Sequence, residues 1–220
     1  MAVAALDLRG HGSSGGQRGV ADHRALYQDL KWFSEQVHKI HEELPMLLGG
    51  HSLGGALAAR LLLEEPGVYA GGVLFAPWLR LCRNLRWLMP GIRLGARLFP
   101  GLTVHNGLKS EQLVRDSYMQ RRIAEDTLRH QRISLGLLHG ALVNGEFCLG
   151  YDGGCEVPIA LWQGEADTVT CAVAAKEWAL RQHAYLELLK GVRHELHWEI
   201  GQAEMARRVL NWWDGFQARG

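Results

Sequence analysis

The sequence predicts an α/β fold in which a mainly parallel sheet is covered by helices on both faces. Short apolar runs alternate along the chain with segments of helical periodicity, the pattern of parallel-sheet proteins. Glycine-rich turns separate the two kinds of segment. The alternation stops after residue 76 and resumes near residue 156, which indicates an insertion. We therefore assign residues 1–76 and 156–220 to the core and residues 77–155 to a cap over the sheet.

Five apolar runs are predicted to be strands: Val3–Leu8, Met46–Leu48, Gly72–Ala76, Pro158–Gln163 and Ala184–Lys190. Four segments of the core are predicted to be helices: Val20–His41, Ala56–Leu63, Cys171–Gln182 and Gln202–Gln217. Within the cap, we expect a mostly helical stretch from about Ser110 to Gly145.

The composition is typical of a soluble globular protein, with 47% hydrophobic and 21% charged residues. A formal net charge of +1 gives no electrostatic reason to expect a nucleic-acid partner. The four cysteines lack metal-binding or disulfide spacing and are interpreted as reduced, incidental thiols. No apolar run is long enough to span a bilayer, and no basic leader precedes the first one. We therefore expect a cytoplasmic protein.

The strongest functional signal lies in Pro45–Pro66, where Gly50-His51-Ser52-Leu53-Gly54 matches the G-x-S-x-G nucleophile elbow. In this motif a strand turns sharply into a helix, and small residues on both sides of the serine allow the turn. An apolar run precedes the motif and strong helix formers follow it, as the motif requires. Ser52 is therefore the candidate nucleophile.

A serine nucleophile needs a base to take its proton and an acid to orient that base. In an open parallel sheet, such groups lie at the carboxyl ends of strands. Asp167 follows the strand that ends at Gln163, and His194 follows the strand that ends at Lys190. Their order after Ser52 is the nucleophile–acid–base order expected of this architecture. Ser52, Asp167 and His194 are therefore the predicted catalytic residues.

Other motifs offer weaker alternatives. His197 is a second candidate for the base, whereas the side chain of His51 should point away from the serine. The stretch His194–His197 is one residue short of the H-E-x-x-H zinc motif, so a metal site is not expected. Gly10–Gly15 matches G-x-G-x-x-G, but no helix opens there and no acidic residue ends the next strand, so a nucleotide site is not expected either.

A family resemblance is carried by four motifs in order along the chain, LDLRGHGSSGG, GGHSLGG, QGEAD and GVRHELHWE. Together they resemble the monoacylglycerol lipase and lysophospholipase branch (serine aminopeptidase S33-like) of the α/β-hydrolases. The resemblance runs from the first residue nearly to the last. It implies Ser52 as nucleophile, His194 as general base and Asp167 as orienting acid. It also implies hydrolysis of a lipid-like ester through an acyl-enzyme, with no metal or organic cofactor.

The sequence departs from this family at its beginning. In the family, an apolar strand ending in His-Gly precedes the LDLRGHG motif, and the loop after it donates one of two oxyanion-hole N–H groups. The other donor is the residue after the nucleophile, here Leu53. No matching segment precedes the motif in these 220 residues. We therefore expect the natural chain to start upstream of Met1, and the sheet formed by these residues alone to lack a strand.

The first part of the cap, Pro77–Ser110, contains five arginines and one lysine but no acidic residue, and apolar side chains interleave with them. One interpretation is a lid whose apolar face receives acyl chains and whose arginines meet anionic lipids at the inner face of a membrane. The other is a cap that packs on the sheet and exposes a solvated basic face. Two alternative functions also stay open: a peptidase or acyltransferase of the same fold, and a catalytically silent module that binds lipid or a partner.

Overall fold

The computed structural model describes residues 2–218. Its strands are β1 (Leu47–His51), β2 (Gly71–Phe75), β3 (Thr103–His105), β4 (Arg132–Ser134), β5 (Ile159–Gly164) and β6 (Tyr185–Leu189). Its helices are α1 (His23–Ile40), α2 (Ser52–Glu64), α3 (Met89–Leu98), α4 (Ser110–Leu113), α5 (Ser117–Glu125), α6 (Leu135–Gly150), α7 (Ala172–Arg181), α8 (Leu196–Glu199) and α9 (Gln202–Gln217). Four of the five predicted strands and all four predicted core helices are confirmed within a few residues at each end.

Four strands form the central parallel sheet in the order β1-β2-β5-β6. Strand β2 pairs with β1 on one side and with β5 on the other, and β6 pairs with the far side of β5. Since all four strands run in the same direction, their carboxyl ends lie at one edge of the sheet. The loops that follow β1, β5 and β6 are therefore brought to that edge, where ligand sites of open α/β sheets form.

Side chains of the strands alternate between the two faces of the sheet, and each face has its own core. Ile159 and Leu161 of β5 pack in a cluster with residues of α1, α2, α6 and α7. Ala160 and Trp162 pack on the opposite face with residues of α8 and α9. This period of two is what a strand buried on both sides requires. The predicted α/β architecture, a parallel sheet with helices on both faces, is confirmed.

The predicted strand at Val3–Leu8 is wrong. These residues lie outside both sheets and are mostly exposed, Val3 by 81%. An apolar run becomes a strand only where a neighbouring strand pairs with its backbone. Within residues 2–218, β1 pairs with β2 alone, and its other edge faces no strand.

Residues 77–155 contain more than the expected helices. Strands β3 and β4 form a two-stranded antiparallel sheet that the sequence did not predict, because three residues are too few to show a period. The long helix α6 lies against α2, where the amide of Asn144 donates to the carbonyl of Ala56 at 2.9 Å.

Apolar surface is concentrated in the first part of this segment. Trp87 is 90% exposed, and Leu94 and Leu98 of α3 are each 58% exposed. These side chains do not pack on the sheet. In the part of the chain that the structure describes, no helix has the length and apolar character needed to cross a bilayer.

Candidate active site

Ser52 lies where β1 ends and α2 begins. Its φ of 53° is in the left-handed region, which residues other than glycine rarely adopt. Such backbone strain is typical of the strand-to-helix turn of a nucleophile elbow. The carbonyl of Ser52 accepts a hydrogen bond from the backbone N–H of Trp78 at 2.9 Å. The loop after β2 therefore stabilises the turn at Ser52 through this hydrogen bond.

Two glycines allow this turn because backbone atoms approach them closely. A Cβ atom on Gly50 would lie 2.5 Å from the carbonyl of Gly54, and one on Gly55 would lie 2.9 Å from the carbonyl oxygen of Gly50. By contrast, a Cβ atom on Gly54 would meet nothing within 4 Å. Packing therefore requires glycine at position 50 but not at position 54.

The structure brings the three predicted residues together at the carboxyl edge of the sheet. Ser52 Oγ lies 3.0 Å from His194 Nε2, and Asp167 Oδ2 lies 2.8 Å from His194 Nδ1. Because a carboxylate can only accept, Nδ1 carries the proton, and Nε2 of the neutral ring accepts from the serine hydroxyl. Asp167 and His194 are buried and Ser52 is half-buried. Chemically, this arrangement can remove the serine proton.

The Asp167 carboxylate is held by donors on both oxygens. Oδ1 accepts from the backbone N–H groups of Val169 and Thr170 at 2.7 and 3.1 Å. Oδ2 accepts from the Thr170 hydroxyl at 2.6 Å and the Gln163 amide at 2.9 Å, in addition to His194. Burial acts to raise the pKa of Asp167, but the bonds from His194, Thr170 and Val169 outweigh it and hold this pKa below its ordinary value. Asp167 is therefore ionised at neutral pH.

Gln163 and Thr170 are residues that the sequence reasoning missed. Both are fully buried and within four positions of Asp167. A signal was present, since an aspartate followed by a tight turn commonly accepts the backbone N–H two residues later. The side chains of Gln163 and Thr170 could not be placed from spacing alone, because their direction depends on where β5 ends.

The rival histidines lie behind the site rather than at the serine. Nε2 of His51 lies 3.0 Å from the carbonyl oxygen of His194, and its ring is 4.7 Å from the ring of His194. Burial is the main cause that lowers the pKa of His51 to about 4, so this ring is neutral and donates to that carbonyl. His197 contacts the rings of His51 and Phe75. Among residues 2–218, no group of three or more His, Cys, Asp or Glu is placed to hold a metal ion.

In the glycine-rich loop at Gly10–Gly15, the side chain of Asp7 occupies the space that a bound anion would need. The carboxylate of Asp7 accepts from the backbone N–H of Ser13 at 2.8 Å, and its atoms lie 2.3–2.5 Å from where a Cβ of Gly12 would be. The ring of His11 packs on that of His130, 4.8 Å away. The carboxylate of Asp7 thus already takes the position that a phosphate bound to the N–H of Ser13 would need.

The sequence profile of a family described as serine aminopeptidase, S33, matches residues 1–201. The chain belongs to this family. The resemblance inferred from the four motifs is thereby confirmed.

Two curated relatives show how far the likeness extends. An uncharacterized abhydrolase domain-containing protein of Dictyostelium discoideum is 29% identical over 96% of this chain, which spans 23% of that protein. A monoacylglycerol lipase of Mycolicibacterium smegmatis is 24% identical over 96% of this chain and 77% of its own length. The chain is therefore similar over nearly its whole length to part of each relative.

A solved structure gives the same result for the fold. The monoacylglycerol lipase of Paleococcus ferrophilus superimposes with a TM-score of 0.85 at 26% identity, covering 95% of this chain and 81% of that one. The α/β-hydrolase fold predicted from the motifs is therefore confirmed.

Proposed function

We propose that this protein hydrolyses carboxylic esters of lipid-like substrates, of the monoacylglycerol or lysophospholipid type, through an acyl-enzyme. Monoacylglycerol lipases are among the relatives of this chain in sequence and in structure, which supports a carboxylic ester hydrolase. The observation that carries the proposal is the hydrogen-bonded chain from Ser52 Oγ through His194 to Asp167. It supplies a nucleophile, a base and an orienting acid in one line.

In the proposed reaction, Ser52 Oγ attacks the ester carbonyl carbon while His194 Nε2 takes the hydroxyl proton. The bond from the carbonyl carbon to the alcohol oxygen then breaks, and His194 gives its proton to that oxygen. Water, deprotonated by the same nitrogen, then attacks the acyl carbon. The bond from that carbon to Ser52 Oγ breaks, His194 returns its proton to Oγ, and the carboxylic acid leaves. Asp167 is buried and ionised, and it stabilises the imidazolium that forms in both halves of the reaction.

We assign the backbone N–H of Leu53 as a donor to the oxyanion of the tetrahedral intermediate. Leu53 is the second residue of α2, and the first N–H groups of a helix have no partner within the helix. The positive end of the helix dipole lies at the same place and favours negative charge there. In measured cases, loss of one such donor costs about 10²–10³ in rate.

We propose further that residues 77–155 form a cap and that its basic, apolar surface makes peripheral contact with the inner face of a membrane. The exposure of Trp87, Leu94 and Phe99 supports a contact with acyl chains. Among residues 2–218, the basic side chains around them have no acidic partner within salt-bridge distance: Arg83, Arg86, Arg93 and Arg97. They are therefore available to anionic head groups.

Replacement of the nucleophile tests the central proposal. Ser52→Ala should abolish covalent labelling by a fluorophosphonate and lower kcat for a short acyl ester by about 10⁴-fold or more. A circular dichroism spectrum would show that the variant is folded. A wild-type protein that is folded but neither labels nor hydrolyses any ester of a monoacylglycerol and lysophospholipid panel would overturn the proposal.

The description of the matched family favours one alternative, a peptidase with the same three residues. The same three residues could form an acyl-enzyme from an amide as well as from an ester. Assays of aminoacyl amides beside the ester panel therefore show which of the two bonds the protein cleaves. Amide cleavage with no ester cleavage would establish the peptidase. A protein that sediments with lipid but does not label would instead be the catalytically silent binding module.

A further inference from the structure

The loop that carries His194 is bound to the cap segment on both sides of the histidine. This loop joins β6 to α8, and the cap segment in question is Glu111–Arg115. The guanidinium of Arg193 donates to the carbonyl of Glu111 and, at 3.0 Å, to that of Val114. On the other side, the backbone N–H of Glu195 donates to the carbonyl of Leu113 at 2.9 Å.

The carboxylate of Glu199 joins the same two segments a second time. Its Oε1 accepts from the backbone N–H of Arg115 at 2.5 Å, and its Oε2 accepts from the Arg115 side chain at 2.6 Å. Oε2 also accepts from the backbone N–H of Arg193 at 3.2 Å. The Glu199 side chain is only 3% exposed, although that of Arg115 is 54% exposed. One buried carboxylate thus ties a cap residue to the residue before His194.

A buried carboxylate is stable only while its donors stay in place, because the uncompensated charge would be costly. Two of its three donors belong to the cap segment and one to the loop of His194. Displacement of the cap segment therefore breaks the cluster and releases the loop on which His194 is carried. The hydrogen bond that His194 accepts from Ser52 and the one that it donates to Asp167 require that loop to be held to within about half an ångström.

We propose that Glu199 is a positioning residue for His194, and that through it the placement of the cap segment Glu111–Arg115 sets the alignment of the base with Ser52. This inference rests on the proposed function, because it takes His194 to be the base. Glu199 touches neither Ser52 nor His194 directly, and it acts through Arg193 and Arg115. The cap segment in its observed position and an aligned base are then one state of the protein.

Glu199→Gln tests the proposal, because it keeps the size of the side chain and removes its charge and one acceptor. The amount of fluorophosphonate bound at completion gives the fraction of competent serines, and kcat is expressed per competent serine. We expect this kcat to fall roughly 10- to 100-fold, as for other misplaced catalytic groups, with KM for a short acyl ester changed by less than about twofold. A loss of folded protein alone would lower the competent fraction and leave kcat per site unchanged.

Glu64→Gln is the matched control, since Glu64 accepts two bonds from Arg60 at the far end of α2. It should leave kcat per site unchanged. Arg115→Ala removes the side chain that donates to Glu199. In the double variant of Arg115→Ala and Glu199→Gln, kcat per site should fall no further than in Glu199→Gln alone, because both changes act through the same contact. Arg115→Ala also serves if Glu199→Gln does not fold.

A wild-type kcat per site in the folded Glu199→Gln variant, or in Arg115→Ala where the former does not fold, would overturn the inference. The inference would also be overturned if the fold-decrease in kcat per site of the double variant equalled the product of the decreases in the two single variants. A wild-type protein that neither labels nor hydrolyses esters would instead refute the proposed function.

Discussion

Thr170 donates its hydroxyl to the Asp167 carboxylate at 2.6 Å, beside the bond from His194. Thr170→Val keeps the shape of the side chain and removes this donor. We expect kcat/KM for a short acyl ester to fall roughly 10- to 100-fold, because a hydrogen bond to a charged group contributes about 1.5–3 kcal/mol and about 1.4 kcal/mol corresponds to tenfold. Steady-state kinetics measure the change.

Thr168→Val is the matched control for that prediction. Thr168 lies two positions away in the same loop and is exposed, so its replacement should leave kcat/KM unchanged. Equal kinetics for Thr170→Val and the wild type would show that the hydroxyl of Thr170 does not help Asp167 to orient His194.

His23, the first residue of α1, makes stability depend on pH. Burial is the main cause that lowers its pKa from 6.5 to about 4, with a further contribution from the charge of Arg60. Between these values the unfolded chain binds a proton that the folded protein does not, so stability is lost as pH falls from 6.5 to 4. The loss amounts to about 3 kcal/mol at most. Urea unfolding at a series of pH values measures it.

His23→Gln should reduce this dependence without abolishing it, because glutamine does not titrate whereas His51, whose pKa burial also lowers to about 4, still does. His41→Gln, a change at an exposed histidine, is the control and should keep the wild-type slope between pH 6.5 and 4. A slope in His23→Gln equal to that of the wild type would rule out His23 as its source.

In the turn from β1 through Ser52 to α2, stability should depend on Gly50 more than on Gly54. Gly50→Ala would place a Cβ atom 2.5 Å from the carbonyl of Gly54, so we expect a loss of about 1–3 kcal/mol in unfolding free energy. Gly54→Ala meets open space in a helix and should be neutral or stabilising by up to about 1 kcal/mol. Thermal unfolding of both variants measures the difference. Equal melting temperatures would contradict the packing argument.

Several of the elements that the sequence predicted correctly have a strong apolar pattern. Helices α1 and α9 and strands β2 and β5 each repeat apolar residues over several positions, and burial on the sheet follows directly from that pattern. The segment Val3–Leu8 has an equally apolar pattern but does not form a strand, because a strand also needs a neighbouring strand, which no local pattern can supply. Strands β3 and β4 form although they show little apolar pattern, because they pair with each other.

For the whole molecule, we expect the proposed cap, residues 77–155, to bind anionic membranes through its basic, apolar surface. We expect Arg93→Gln with Arg97→Gln to weaken sedimentation with phosphatidylserine-containing liposomes at low salt by roughly tenfold or more, since each basic residue near such a surface contributes about 1 kcal/mol. Binding should also fall as salt is raised.

Lys39→Gln with Lys176→Gln removes the same charge from exposed positions on α1 and α7 and is the matched control. It should sediment as the wild type does. Wild-type protein that sediments equally with neutral and anionic liposomes at low salt would exclude the contact with head groups.

The sequence by itself determined the order of the core strands and helices from α1 onwards, the resemblance to the family, and the three residues that meet at the carboxyl edge of the sheet. It could do so because Ser52, Asp167 and His194 each lie within five residues of the end of a strand, and parallel strands end at one edge. Only the tertiary structure decided which side chains hold Asp167, that Val3–Leu8 pairs with no strand, and that Glu199 joins Arg115 to the loop of His194. These features are contacts between residues far apart in the chain, or directions of side chains at a loop, and neither is set by local periodicity or spacing.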